Sequence, residues 1–208
     1  PRAWWQAANK LSTAELSGVG LPQLGDGHVG DADDSPICPA LTCLELDCSE
    51  DPLGTPPLAR CHALQQLRFS GADLGQADWA ALASLPCLAE LSLEGCSMQQ
   101  IQHLHNGLTC LSQLSLEYTP MASGITQPPA LCSLELHHSD PDWAEPPGWH
   151  LPPGPWLQNL EHLTLDRSIV SSIETALRQA TRLTCLELTN CCWLQFRREE
   201  LSLLLPLQ

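Results

Sequence analysis

One figure recurs along this chain: leucine, two residues, leucine, one residue, leucine. It stands at Leu41-Leu44-Leu46, Leu64-Leu67-Phe69, Leu88-Leu91-Leu93 and Leu111-Leu114-Leu116. It continues at Leu131-Leu134-Leu136, Leu160-Leu163-Leu165 and Leu183-Leu186-Leu188, and a weaker copy, Leu11-Ala14-Leu16, opens the series. The first leucines lie 30, 23, 24, 23, 20, 29 and 23 residues apart. Self-similarity at such a period marks stacked units, none of which buries its apolar face alone. Most of the 40 leucines are thereby assigned to a framework.

The spacing has a local meaning. The last two leucines of each copy are two apart, so they share one face of a short strand. The stretch between strands is long enough for a turn, a return segment and a second turn. Trp79, Leu82, Leu85 and Leu88 recur every third residue, which predicts a helix within 77–88. Ile169, Ile173, Leu177 and Leu183 predict another within 168–183. Pro120, Pro128 and Pro129 forbid regular helix in 119–131 and favour an extended path.

These residues resemble leucine-rich repeats, over roughly residues 11 to 200. The resemblance implies an α/β solenoid, a right-handed horseshoe with a parallel concave sheet and a mixed helical and extended convex side. Repeats of this kind usually place asparagine or cysteine three residues after the third leucine. Here the equivalents are Val19, Ser49, Ala72, Cys96, Thr119, Ser139, Ser168 and Cys191. Cys96 and Cys191 are similar to the cysteine-containing intracellular type, in an irregular form. The expected organisation is one domain over 1–208 with about eight repeats. Residues 1–10 are a partial N-terminal cap, 11–193 the repeats and 194–208 a C-terminal cap or partial repeat, all belonging to a longer protein.

Charge narrows the partners. The formal charge is −15, and residues 69–166 hold eleven acids but no lysine or arginine. Nucleic-acid binding needs clustered cations, so it is excluded. No apolar run approaches the roughly 18 residues of a membrane span. Eleven cysteines are many, but a chain this long does not need disulfides for a core. An intracellular, cytoplasmic setting is expected.

Two long spacings mark insertions. Residues 18–40 carry Asp26, Asp31, Asp33 and Asp34 among glycines and read as a solvated loop, without the register of a calcium loop. Residues 139–159 carry Trp143, Trp149 and Trp156 among six prolines. Two readings stay open there. The tryptophans anchor a partner from a stiff segment, or they pack on the convex surface in place of a helix. The best metal candidate is His137-His138-x-Asp140-x-Asp142, but no set of four converging ligands is evident. No metal or cofactor is expected.

Side chains alternate along a strand, so residues between and just after the leucines line the concave face. They form three rows: Thr13, Cys43, Gln66, Glu90, Gln113, Ser133, His162, Cys185; then Glu15, Glu45, Arg68, Ser92, Ser115, Glu135, Thr164, Glu187; then Ser17, Asp47, Ser70, Glu94, Glu117, His137, Asp166, Thr189. Nine of these residues are acids and one, Arg68, is a base. Glu94 and Glu117 are adjacent in their row, with Arg68 expected to offset Glu45 and nothing in the sheet to offset the other two. His137 falls between Glu117 and Asp166, and Tyr118 borders the row. Glu90, Glu94, Glu117, Tyr118, Glu135, His137 and Asp166 are the candidate contact residues, with the three insertion tryptophans as a weaker set.

No nucleophile elbow, phosphate loop or zinc-protease motif is present. The expected function is a non-catalytic scaffold that binds a basic protein or sits in a multi-protein complex. The alternative is the substrate-recognition region of an F-box-type ubiquitin ligase or of an immune-type sensor.

Overall fold

A computed structural model describes residues 13–17, 39–48, 58–98, 108–118, 128–137, 148–151, 154–166, 169–171 and 177–191. Each copy of the leucine figure forms a five-residue strand: β1 (Thr13–Ser17), β2 (Cys43–Asp47), β3 (Gln66–Ser70), β5 (Glu90–Glu94), β7 (Gln113–Glu117), β8 (Ser133–His137), β10 (His162–Asp166) and β12 (Cys185–Thr189). Among the described residues these eight make one parallel sheet in chain order. Pairing is in phase throughout: Leu44 opposes Leu67, Leu67 opposes Leu91, and Leu91 opposes Leu114. This is a leucine-rich-repeat solenoid.

The period-2 alternation decides the core. Strands β2, β3, β5, β7, β8 and β10 bury their second and fourth residues, with Phe69 and Leu93 at 0% exposure. Each such side chain contributes about 1.5–3 kcal/mol. Leu41, Leu64, Leu88, Leu111, Leu131 and Leu160 are buried at the strand entries. A carbonyl ladder ties these entries together. Thr42 O accepts from Gln65 N and Gln66 N, and Ala89 O accepts from Ser112 N and Gln113 N.

On the far side, α1 (Gln76–Ala83) turns Trp79 and Leu82 onto the leucines. Its N-terminus is held by Gly75 N donating to Asp78 Oδ2 at 2.8 Å. It stops where the Ser84 hydroxyl donates to Ala81 O at 2.6 Å, two residues before Pro86. The predicted helix is therefore real but shorter, and Leu85 and Leu88 are buried from the turns beyond it.

The second helical expectation needs correction. Residues Ile169–Ser171 form strand β11, paired in parallel with β9 (Gly148–His150). β-branched Ile169 and Val170 suit an extended chain, and the insertion supplies a partner strand that local periodicity cannot reveal. Residues 177–179 are helical. A similar small pair joins β4 (Asp73–Leu74) to β6 (Ser97–Met98).

Trp156 also needs correction as a partner anchor. It lies in a 3-10 segment, Pro155–Asn159, and is 3% exposed within the core. Of the two readings of the insertion, packing against the protein's own convex side holds for this residue. A Cβ on Gly154 would lie 2.9 Å from Trp156 Cδ1 and 3.2 Å from its Nε1. A buried indole has no free volume to retreat into. Gly154→Ala is expected to destabilise the fold by about 1–3 kcal/mol, seen as a lower thermal midpoint. An unchanged midpoint would show that the indole is not packed this way.

The caps 1–10 and 194–208, the acidic insertion from 18 to 38, and the prolines at 120 and 141–147 lie outside the described residues, as do Trp143, His138, Asp140 and Asp142.

Candidate binding groove on the exposed sheet face

The three rows expected on the open face are in register. The third-position row runs through Cys43, Gln66, Glu90, Gln113, Ser133, His162 and Cys185. The fifth-position row runs Glu45, Arg68, Ser92, Ser115, Glu135, Thr164, Glu187, and the seventh Asp47, Ser70, Glu94, Glu117, His137, Asp166, Thr189. Small residues at Ser92, Ser115 and Ser133 leave a hollow of about 250 Å³, walled by Glu45, Arg68, Gln66, Glu90, Gln113 and Glu135. Of the candidate contact residues, Glu90 and Glu135 line this hollow, while Glu94, Glu117, His137 and Asp166 form the adjoining row.

Arg68 behaves differently from expectation. Its Nη2 donates to Glu94 Oε2 at 2.8 Å, and its Nε stands 3.7 Å from Glu45 Oε1. Glu94 is therefore offset from within the sheet. The guanidinium reaches past its direct partner Ser92 to the next position along β5, a diagonal step open to a long side chain. It is held still more firmly in its charged form, first by the hydrogen bond to Glu94, then by the nearby charges of Glu45, Glu94 and Glu117. Both partners are substantially exposed, so the pair contributes at most about 1 kcal/mol.

Other partners were not foreseen. Gln66 Nε2 donates to Glu90 Oε2 at 2.9 Å, and Asn190 Nδ2 donates to Asp166 Oδ1 at 2.9 Å. Both donors sit on neighbouring turns. His137 lies between Glu117 and Asp166 as expected, yet its Nε2 comes to 3.8 Å from Glu135 Oε2 on its own strand.

The turn leaving each strand has its own signature. Gly71, Gly95, Tyr118 and Asn190 occupy equivalent positions with φ of 67°, 58°, 49° and 56°. Glycine adopts this left-handed conformation freely and asparagine does so with modest strain, but a bulky residue is strained there. Tyr118 is nevertheless placed there, 43% exposed, beside Glu117. The strand-following cysteines serve the backbone instead. Cys96 Sγ donates to Phe69 O and Glu94 O, and Cys191 Sγ donates to Leu165 O and Thr189 O. Both thus bond the preceding repeat and their own turn in the same way. No group of three or more metal-ligating side chains converges among the described residues.

No family model matches the chain, and no curated protein matches it. Among solved structures, 27 chains are similar. One is an internalin from Listeria monocytogenes str. 4b F2365, with TM-score 0.48, 18% identity, and coverage of 74% of this chain and 42% of that one. Another is internalin C2 of the same strain, with TM-score 0.45, 17% identity, and coverage of 63% and 54%. The chain thus spans about half the length of these internalins or less.

Proposed function

We propose that this chain is a non-catalytic protein-binding module that takes a basic partner segment on the exposed sheet face. The observation that carries the reading is the aligned carboxylate surface: eight acids and a single arginine over the three rows from β2 to β12, with a hollow among them that Ser92, Ser115 and Ser133 help to line. Adjacent Glu94 and Glu117 repel each other by about 1–3 kcal/mol, and Arg68 pairs with the first of them. A partner's lysine or arginine at this pair of carboxylates meets them with the opposite charge. Tyr118 supplies an aromatic contact at the rim. Its left-handed backbone is a stability cost carried by a residue whose ring is substantially exposed, which suits a residue kept for contact. Catalysis has little support in an open sheet, where water weakens fixed electrostatics. Cys96 and Cys191 can donate their S–H bonds only as thiols, which favours a reducing, intracellular setting.

The test is anisotropy titration of a labelled arginine-rich peptide against three variants. Glu94→Gln with Glu117→Gln is expected to weaken binding by about tenfold or more, or about 1.4 kcal/mol. Asp73→Asn with Glu161→Gln removes the same charge outside the three rows and should change affinity far less. Tyr118→Gly should lower affinity while raising stability by about 1 kcal/mol. Equal losses from both charge-neutralised pairs would reduce the groove to a general effect of net charge.

A further inference from the structure

We infer that Cys87 and Cys110 form an exposed dithiol, which small disulfides of the glutathione class close into a bridge between consecutive turns of the solenoid. The two cysteines occupy one position in two matching segments. Leu85-Pro86-Cys87-Leu88 leads into β5, and Leu108-Thr109-Cys110-Leu111 leads into β7. Within each, the two leucines are buried and the cysteine is exposed.

The backbone pins the segments together next to the thiols. Ala89 O accepts from Ser112 N at 2.8 Å, Gln113 N at 3.0 Å and Ser112 Oγ at 3.1 Å. The register then continues as Glu90 opposite Gln113. Carried back three residues, it sets Cys87 opposite Cys110. Neighbouring strands lie about 4.8 Å apart, and a disulfide spans Cα separations of about 4.4–6.8 Å. The equivalent position holds Ala40, Ala63, Ala130, Asn159 and Arg182 in the other described copies, so no competing thiol stands in that column. Cys48, Cys61 and Cys96 are buried, and the Cys132 and Cys191 thiols are turned to backbone carbonyls.

The chemistry is thiol–disulfide exchange. One cysteine thiolate attacks a sulfur of the small disulfide, and one small thiolate leaves. The second cysteine thiolate then attacks the protein sulfur of that mixed disulfide, and the second small thiolate leaves. Two protein thiols lose two protons and two electrons, and the small disulfide becomes two thiols. The bridge ties together the entries of β5 and β7, the strands that carry Glu94 and Glu117. The assignment itself does not depend on what the groove binds.

The experiment treats the reduced full chain with oxidised glutathione, alkylates the remaining thiols, and maps the peptides by mass. The wild type is expected to yield a linked Cys87–Cys110 peptide with little bound glutathione. Cys87→Ser and Cys110→Ser should each retain glutathione on the remaining cysteine, since the resolving thiol is gone. As an independent probe of thiol proximity, phenylarsine oxide, which needs two thiols, should be retained at this pair by the wild type and lost from it in either variant. Glutathione on both cysteines of the wild type, a bridge to any other cysteine, or no reaction at either position would overturn the assignment.

Discussion

Replacing Phe69 with alanine is expected to lower the unfolding free energy by about 3–5 kcal/mol. Phe69 stands where every other copy has leucine, at 0% exposure in the middle of the stacked core. Its carbonyl also accepts the Cys96 thiol. Truncation opens a cavity between β2 and β5 that the neighbours fill only partly, because each turn is pinned by in-register bonds on both sides. Phe69→Leu restores the residue type of the other copies and is expected to cost less than about 1.5 kcal/mol. Urea unfolding followed by circular dichroism separates the two. Similar losses from both variants would mean that the position is not equivalent to its counterparts. A stacked array couples each repeat chiefly to its neighbours, so the damage should concentrate around 58–98, where amide exchange would report it.

Raising the pH from about 9 to about 11 is expected to remove about 2 kcal/mol of stability through Cys96 alone. Burial pushes this thiol up from 9.0 to about 11, against the lowering pull of backbone hydrogen bonds at Ala72 and Glu94. The folded state therefore keeps the proton in a range where the unfolded chain has lost it. The contribution is fully present below about 9 and disappears as the pH climbs through about 11. Cys96→Ser keeps a donor at the position but does not titrate there. Its stability should fall less steeply over that range, by about the amount stated for the wild-type thiol. Cys48, whose thiol is also raised by burial and by Asp47, contributes its slope equally in both proteins. Identical slopes in wild type and variant would remove Cys96 as the titrating group.

The order of residues across the open sheet face was legible in the chain to an unusual depth because its geometry is translational. Once Leu44 and Leu67 are known to be equivalent, Glu45 must oppose Arg68; once Leu91 and Leu114 are, Glu94 must oppose Glu117; and both pairings occur. What was not legible were the contacts made by long side chains. Arg68 stands in the row of Glu45, yet its shorter contact goes to Glu94 in the next row and on the next strand. Gln66 with Glu90, and Asn190 with Asp166, show the same reach across neighbouring turns. A row assignment says which residues share a face, and rotamers decide which of them touch.

The sequence alone determined the period, the phase of the strands, the buried leucines and the order of residues across the open face. These follow from covalent spacing and the two-residue alternation of a strand, which are local properties repeated in space. Only the tertiary structure decided that Trp156 is core, that Ile169–Ser171 pairs as a strand with Gly148–His150, and that Tyr118 takes the left-handed turn used by Gly71 and Gly95. Each of these depends on a partner supplied from another turn of the solenoid. The energy of such a contact is not a property of the segment that makes it.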